Sequence, residues 1–449
     1  MEQNDLELML DQLKNALERD DLAAAANIIE AMRPADQAEV FAELDNEQQS
    51  LLLPEIAPAD SADILEELDD EQVAELIATL STDEIIRIVD QMEPDEAADL
   101  LGDITPAQAE AVLSRLEDPD EVRPLLLHAD ESAGGLMTTE YLALRRRMTA
   151  AEAIEAIRRW HPSEETIYYL FVVDQFGRLS GVLNLRRLIV ANPAARIMEI
   201  MEPEAISVAA DVDQEEAARI MTRYDLLALP VVDENGILLG VITFDDVIDV
   251  LEEEATEDIQ RLGGAQPLER AYLDTSPVII TRKRMGWLLL LFITATLTGS
   301  VMRIYQEDLQ TVVALAIFIP LLIGTGGNAG AQTTTVIIRA LATGDVEPGD
   351  ALRVWWQEAR VGLLLGLGMA LVAFLRAITW EPSAALALTV AVSILALVLW
   401  ATGVGSLLPL VASRLGIDPA LVSGPLMSTL VDATGLFIYF TIARLILRL

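Results

Sequence analysis

Apolar residues recur at i, i+3 and i+4 through the first 130 positions, in blocks that repeat. P-A-D-Q-A-E-V-F-A-E-L begins at Pro34, P-A-D-S-A-D-I-L-E-E-L at Pro58, T-D-E-I-I-R-I-V-D-Q-M at Thr82 and P-A-Q-A-E-A-V-L-S-R-L at Pro106, a period of 24. A second set of blocks, beginning at Asp45, Asp69 and Glu93, keeps the same period between them. Pro, Asp, Ser and Thr at the block starts suit helix N-termini, and the apolar spacing that follows is helical. One short amphipathic helix cannot bury its own stripe, so stacked neighbours must share a core. Residues 1–130 are expected to form an α-solenoid.

The pattern then changes to short apolar runs broken by Asp-x-x-Gly. L-F-V-V-D-Q-F-G-R-L-S-G-V-L-N-L-R-R-L-I starts at Leu170 and L-P-V-V-D-E-N-G-I-L-L-G-V-I-T-F-D-D-V-I at Leu229, 59 residues later. Each reads as strand, turn, strand and helix, with a helical stretch ahead of it. This unit, present twice, resembles a tandem CBS pair, here 131–199 and 200–259. Such pairs usually act as regulatory sensors, often of adenine nucleotides; a purely structural α/β domain is the alternative.

Beyond residue 281 the chain becomes apolar at length. Eighteen uncharged residues separate Arg284 from Arg303, and 30 separate Asp308 from Arg339. Val361–Leu375 with Trp380 as an anchor, the 32 residues Pro382–Ser413, and Pro419–Ala443 complete the set. A span takes ~20 apolar residues, so five transmembrane helices are expected over 282–449. A connecting helix over 260–281 should join them to the CBS pair. Arg282, Lys283 and Arg284 put the start of the first span in the cytoplasm, with Arg353, Arg360 and Arg414 on the same side. Arg444 and Arg448 then fall outside, against that rule.

Charge divides the chain in the same place. Residues 281–449 carry 11 Lys and Arg against 9 Asp and Glu, whereas residues 1–280 carry 19 against 63. So acidic a half argues against nucleic acid or anionic lipid as partners and suits cations. There is no Cys, so no thiolate metal site. His128 and His161 are too few for a zinc centre and read as surface or structural residues. The acidic start, M-E-Q-N-D-L, lacks a signal-peptide pattern, so the soluble half is expected in the cytoplasm.

Two features of the membrane half carry chemistry. Asp432, in L-V-D-A-T-G-L-F-I-Y-F, is the only charged residue from Pro419 to Ala443. An ionised carboxylate there costs at least ~2.5–3.5 kcal/mol and needs a reason. In the second span, I-P-L-L-I-G-T-G-G-N-A-G-A-Q-T-T-T places Gly324, Gly326, Gly327 and Gly330 beside Asn328 and Gln332. Such a run is costly in an ordinary helix, which predicts a pore-lining bend; close helix packing through small residues is the alternative. Asp432, Asn328 and freed carbonyls are hard oxygen donors suited to Mg²⁺ or Ca²⁺. Mg²⁺ sheds water reluctantly, so a pore would pass it largely hydrated, and a two-fold dimer would bring two Asp432 together. A protonated or paired structural Asp is the competing reading.

No Gly-Lys-Ser/Thr phosphate loop exists, since the only lysines are Lys14 and Lys283. None is needed, because ~100 mV gives ~2.3 kcal/mol per charge. The harder task is closure. Asp246, Asp249, Glu253 and Glu257 fall on one face of the helix after the second module, and Asp95 and Asp99 stand at i, i+4 in the solenoid. Like charges so placed repel, and a divalent cation would bridge them. The alternative is a solvated face.

The order of parts, with G-T-G-G-N-x-G-x-Q, D-x-x-G in the last span, E-S-A-G-G-L-M-T and E-E-A-T-E-D-I, resembles the MgtE magnesium channels over nearly the whole chain. The resemblance implies a homodimeric, multi-pass channel of the cell (inner) membrane, selective for Mg²⁺ and gated by intracellular Mg²⁺. By motif it places Asp432 and Asn328 in the pore. It places Asp63, Asp95, Asp99, the Gly135 backbone, Asp213, Glu215, Asp225, Asp246, Asp249, Glu254, Glu257 and Asp258 in a cytoplasmic Mg²⁺ sensor. It allows ATP at Tyr169 with Arg186 or Arg187. Ala331 and Gly424 depart from relatives that carry Asn there. An acidic pore residue argues against a chloride channel, and no nucleophile–base pair supports a membrane enzyme. A proton- or ion-coupled divalent-cation exchanger, with Asp432 as a proton site, is the rival reading.

Overall fold

The period of 24 is built as a run of short helices. The computed structural model describes residues 3–160, 169–268, 272–273, 275–422 and 424–449, and divides into two units, Met1–Glu253 and Glu254–Leu449. His161 lies outside the described residues. The first unit begins with α1 (Gln3–Leu17), α2 (Leu22–Ile29), α3 (Pro34–Ala42), α4 (Asn46–Leu52), α5 (Pro58–Glu66), α6 (Asp70–Ile77), α7 (Thr82–Val89), α8 (Pro94–Asp103), α9 (Pro106–Leu113) and α10 (Pro119–Val122). Pro opens α3, α5, α8, α9 and α10, where its missing N–H would be unsatisfied anyway. Asp45 and Ser81 form reciprocal capping boxes at α4 and α7. α3, α5, α7 and α9 stack in one column and α4, α6 and α8 in another, the arrangement of a solenoid. Phe41, Leu52, Ile64 and Ile85 are fully buried between them. Carboxylates pin one repeat to a later one: Glu30 accepts from the Ala57 N–H at 2.9 Å, and Asp90 from the Glu117 N–H at 2.9 Å.

Two α/β modules follow. The first contains β1 (Ala143–Arg145), α11 (Ala150–Trp160), β2 (Tyr169–Val173), β3 (Leu179–Asn184), α12 (Leu185–Val190), α13 (Ile197–Ile200) and β4 (Glu202–Pro203). The second contains β5 (Val208–Ala209), α14 (Gln214–Tyr224), β6 (Ala228–Val232), β7 (Leu238–Thr243) and α15 (Phe244–Leu262). Their sheets run β1-β2-β3-β4 and β5-β6-β7, with the first pairing parallel and the next antiparallel in both. The Asp-x-x-Gly turns are alike. Asp174 accepts from the N–H groups of Phe176 and Arg178, Asp233 from those of Asn235 and Ile237. Gly177 and Gly236 supply φ of +81° and +77°.

Residues 132–138 do not join the module that follows them in sequence. Ala133 and Gly134 donate to Val212 and Ala210, and Thr138 pairs with Val241 in both directions, so this segment lies along the second module. Ala133 and Met137 belong to the core that the solenoid shares with Val208, Met221, Val231 and Val247. Gly134 is where the chain passes the His128 ring, which leaves only 2.6 Å for a Cβ. His128 is thus built into the structure.

The second unit holds α16 (Pro277–Ile304), α17 (Gln306–Thr311), α18 (Ala314–Ala342), α19 (Ala351–Trp380), α20 (Ala384–Arg414) and α21 (Gly424–Leu447). All but α17 are long and apolar enough to cross a membrane. Their core gathers Phe318, Leu322, Ile394, Leu397, Val431 and Tyr439. α16 buries no residue in this chain.

The connecting segment departs from the expected helix over 260–281. α15 stops at Leu262, residues 263–268 are not helical, and helix resumes at Pro277. Residues 269–271 and 274 lie outside the described residues. Gly264 causes the stop. At φ +74° its N–H bonds back to Arg261 and that of Ala265 to Gln260, a left-handed helix ending that favours glycine.

Candidate functional site

The glycine-rich run does not unwind the second span. α18 is continuous from Ala314 to Ala342, which corrects the expectation that a pore-lining bend loosens the backbone and frees carbonyls there. Three of the glycines, Gly326, Gly327 and Gly330, are contact points. A Cβ on Gly326 would stand 2.7 Å from Leu397 and 2.9 Å from Val431, and one on Gly330 2.9 Å from Met427. In lipid every backbone group must be satisfied within the protein, so an intact helix with small residues at its contacts prevails over weak glycine propensity. Gly324 meets nothing within 4 Å, and Asn328 and Gln332 are exposed on the same side of α18.

Asp432 sits inside α21, also continuous. Val431 approaches Gly326 and Gly330, and Ser428 approaches Gly327, so the stretch of α21 just before Asp432 packs along the glycine-rich run of α18. Asp432 is partly buried. Among the described residues it has no ion pair or hydrogen-bond partner, unlike Asp308, which meets Arg444, and Glu358, which accepts from Thr333. Two turns earlier in the same helix, Gly424 approaches Ala331, whose Cβ would be 3.7 Å from its own. The two departures from the resemblance are therefore neighbours.

Among the described residues of the first unit, Asp95 is the most confined carboxylate, with 6% of its surface exposed. Burial, then the Asp246 carboxylate, hold it well above the ordinary carboxylate range, against hydrogen bonds that include one from Thr138. Its Oδ1 has no hydrogen-bond partner. Asp246 Oδ2 accepts from Thr243 Oγ1 at 2.5 Å. Beside them is Glu96, pushed up to about 9 by burial and then by Asp95, Asp99, Glu66 and Asp246. A cavity of about 60 Å³ is lined by Glu66, Glu96, Asp99 and Asp103 among apolar residues. Asp95, Asp99 and Asp246 are thus brought together; Glu96 and Glu66 were missed from sequence. Their signal was three-dimensional: adjacency to Asp95 in sequence says nothing of burial. Among the described residues no three His, Asp or Glu side chains already stand as a metal-ligating group. The orphaned acceptor and the crowded carboxylates nevertheless suit a cation, which would relieve both.

The other expected sensor residues are spread out. Asp63 on α5 is raised by burial and then by Asp60. Asp249 on α15 is raised by burial and then by Asp245. Asp213 caps α14, accepting from the Glu215 N–H at 3.0 Å, and Glu215 bridges to Arg219 at 3.1 Å. Asp225 ends α14 in the left-handed conformation, φ +53°. Gly135 sits in a turn so tight that a Cβ would meet the Ala129 and Asp130 carbonyls at 2.5 Å. Glu254, Glu257 and Asp258 lie at the end of α15, where Glu257 pairs with Arg261. Of the nucleotide candidates, Tyr169 begins β2, Arg186 is exposed at the start of α12, and Arg187 bridges to Glu202 at 3.0 Å.

Comparison with known proteins decides the family. A divalent cation transporter model, MgtE, matches residues 319–442; the MgtE intracellular N domain matches 32–130, and CBS domains match 133–193 and 197–253. The magnesium transporter MgtE of Thermus thermophilus is 48% identical over 328 residues, 73% of each chain. The chain belongs to the MgtE family. The magnesium transporter MgtE of Bacillus subtilis is 35% identical over 322 residues, 72% of this chain and 71% of that one. Among solved structures, the cytosolic domain of the Mg²⁺ channel MgtE in complex with ATP is 41% identical with a TM-score of 0.51, covering 54% of this chain and 99% of that one. The soluble part of a magnesium transporter is 31% identical with a TM-score of 0.50, covering 56% and 99%. MgtE proteins are transporters rather than enzymes, and this one is a multi-pass membrane protein with an N domain and a CBS pair.

Proposed function

We propose that this MgtE protein is a Mg²⁺-selective channel that admits hydrated Mg²⁺ down its electrochemical gradient and closes when Mg²⁺ binds its acidic cytoplasmic domains. The observation that carries the reading is Asp432: a carboxylate without a partner among the described residues, inside a transmembrane helix that packs on the glycine-rich run of α18. Such a residue is costly in lipid and stays only where it faces water or a charge. In a homodimer two Asp432 would face one another and hold the hydrated ion through its water shell. The MgtE relatives named as magnesium transporters support Mg²⁺ as cargo.

The sensor reading places Asp95, Asp99 and Asp246 about a regulatory Mg²⁺, with Glu96 added from the geometry. Asp63, Gly135, Asp213, Glu215, Asp225, Asp249, Glu254, Glu257 and Asp258 are proposed as further ligands, several of which must leave present partners. ATP is proposed at Tyr169, Arg186 and Arg187, as one relative was crystallised with ATP. The proposal includes a cytoplasmic N-terminus and spans in the cell (inner) membrane.

Mg²⁺ uptake into proteoliposomes under a fixed K⁺ diffusion potential tests the reading. Uptake should rise with inside-negative potential, ignore an imposed pH gradient, and vanish in Asp432→Asn. Uptake that follows the pH gradient at constant voltage would instead favour the proton-coupled exchanger.

A further inference from the structure

Arg261 lies at the end of α15, immediately before the turn at Gly264 that breaks the helix. Its Nη1 bonds Asp418 Oδ2 at 2.5 Å, and its Nη2 bonds Glu257. Asp418 belongs to the short loop between α20 and α21, where its other oxygen accepts from the Ala420 N–H at 2.7 Å. One guanidinium therefore ties the last turn of α15 to the loop that leads into the helix of Asp432. The backbone follows the tie. The Leu262 carbonyl is 4.0 Å from where a Gly424 Cβ would be, and Gly264 is seated against the Trp287 ring, 2.5 Å from its own Cβ position.

We propose that Arg261 is a built-in cationic latch. It holds the connecting segment on the loop before α21 without metal, and it competes with divalent cations for Glu257 and Asp418. A planar guanidinium can serve two carboxylates at once, and removing it leaves two like charges face to face. Two hard carboxylate groups are also what a divalent cation takes. Arg261 is then a positioning residue that acts through Asp418, and it sets how much of the docking depends on metal. This rests on the gating reading above, but docking can be measured without conductance.

The chain has no Cys, so Leu262→Cys with Gly424→Cys gives a single thiol pair. A short bifunctional thiol reagent is applied to the full-length protein in nanodiscs, in EDTA and at rising Mg²⁺. With Arg261 present the pair should cross-link in EDTA. In Arg261→Gln the EDTA yield should fall roughly fivefold and return with Mg²⁺, and Arg261→Lys should lie between. Asp418→Asn can keep the cap to Ala420 but removes one charge. Its EDTA yield should also fall, with weaker rescue by Mg²⁺. Equal EDTA yields with and without Arg261 overturn the latch. A fall that Mg²⁺ does not reverse overturns the competition. If cross-linking follows the expected pattern while the wild-type protein carries no Mg²⁺ current, the channel reading fails and the latch stands.

Discussion

Arg444, near the end of α21, donates through Nε to Asp308 Oδ2 at 2.8 Å, and its guanidinium lies 4.5 Å over the Tyr305 ring. Asp308 follows the first span and Arg444 closes the fifth, so both ends lie on one side of the bilayer. That parity agrees with four crossings between them. The pair also neutralises locally one of the two arginines, Arg444 and Arg448, that run against the positive-inside pattern. The Asp308 side chain is only 11% exposed, so removing its charge strands a cation beside it. Asp308→Asn should destabilise the purified protein by about 1–3 kcal/mol, read as a lower thermal midpoint. Adding Arg444→Gln should recover part of the loss, as removing both partners costs less than removing one.

The carboxylates around Asp95 make a pH prediction. Glu96 is held at about 9 against an ordinary 4.5, so its protonated form is the one compatible with the fold. A raised folded value means that this contribution to stability is complete below pH 4.5 and is lost as pH rises toward about 9. The thermal midpoint of the metal-free protein should therefore fall between pH 6 and 9, by roughly 5 °C. Mg²⁺ should flatten the slope and release protons as it binds. Glu96→Gln should remove most of the slope; an unchanged slope would count against this assignment.

Asp95→Asn should behave unusually for a buried site. It removes a carboxylate held near Asp246 with an oxygen that lacks a partner. The metal-free midpoint at neutral pH should rise, while the increment added by Mg²⁺ shrinks. A fall in both would mean that Asp95 is needed by the fold itself.

The α18 glycines can be separated by size. Gly326→Ala would put a methyl 2.7 Å from Leu397 and should cost about 1–3 kcal/mol through forced repacking. Gly324→Ala meets nothing within 4 Å of this chain and should leave subunit stability unchanged. Melting of the two variants in detergent compares them directly.

Much of the fold was legible in the sequence because its signals are local. Proline at helix starts fixed the solenoid register, Asp-x-x-Gly marked both hairpins, and gaps between charges marked the spans. Signals that depend on partners were not legible. Four glycines in seven residues look like loosened backbone until Leu397, Val431 and Met427 are seen against Gly326 and Gly330. Residues 132–138 pair with strands about 80 to 100 positions later, which no local pattern announces. Gly263 and Gly264 ended the connecting helix that chain order suggested. At the candidate site, Asp432 was conspicuous as a lone charge, but that no described residue partners it required the neighbouring helices. Glu96 went unnoticed because its environment, not its type or spacing, distinguishes it.

The most direct test is single-channel recording of the purified protein in a planar bilayer, with Mg²⁺ the only permeant cation and the cytoplasmic side titrated from Mg²⁺-free to several millimolar. Openings at low cytoplasmic Mg²⁺, closure as it rises, and no conductance in Asp432→Asn are expected. Absence of current, or current unchanged in Asp432→Asn, would contradict a hydrated-ion pore built on that carboxylate.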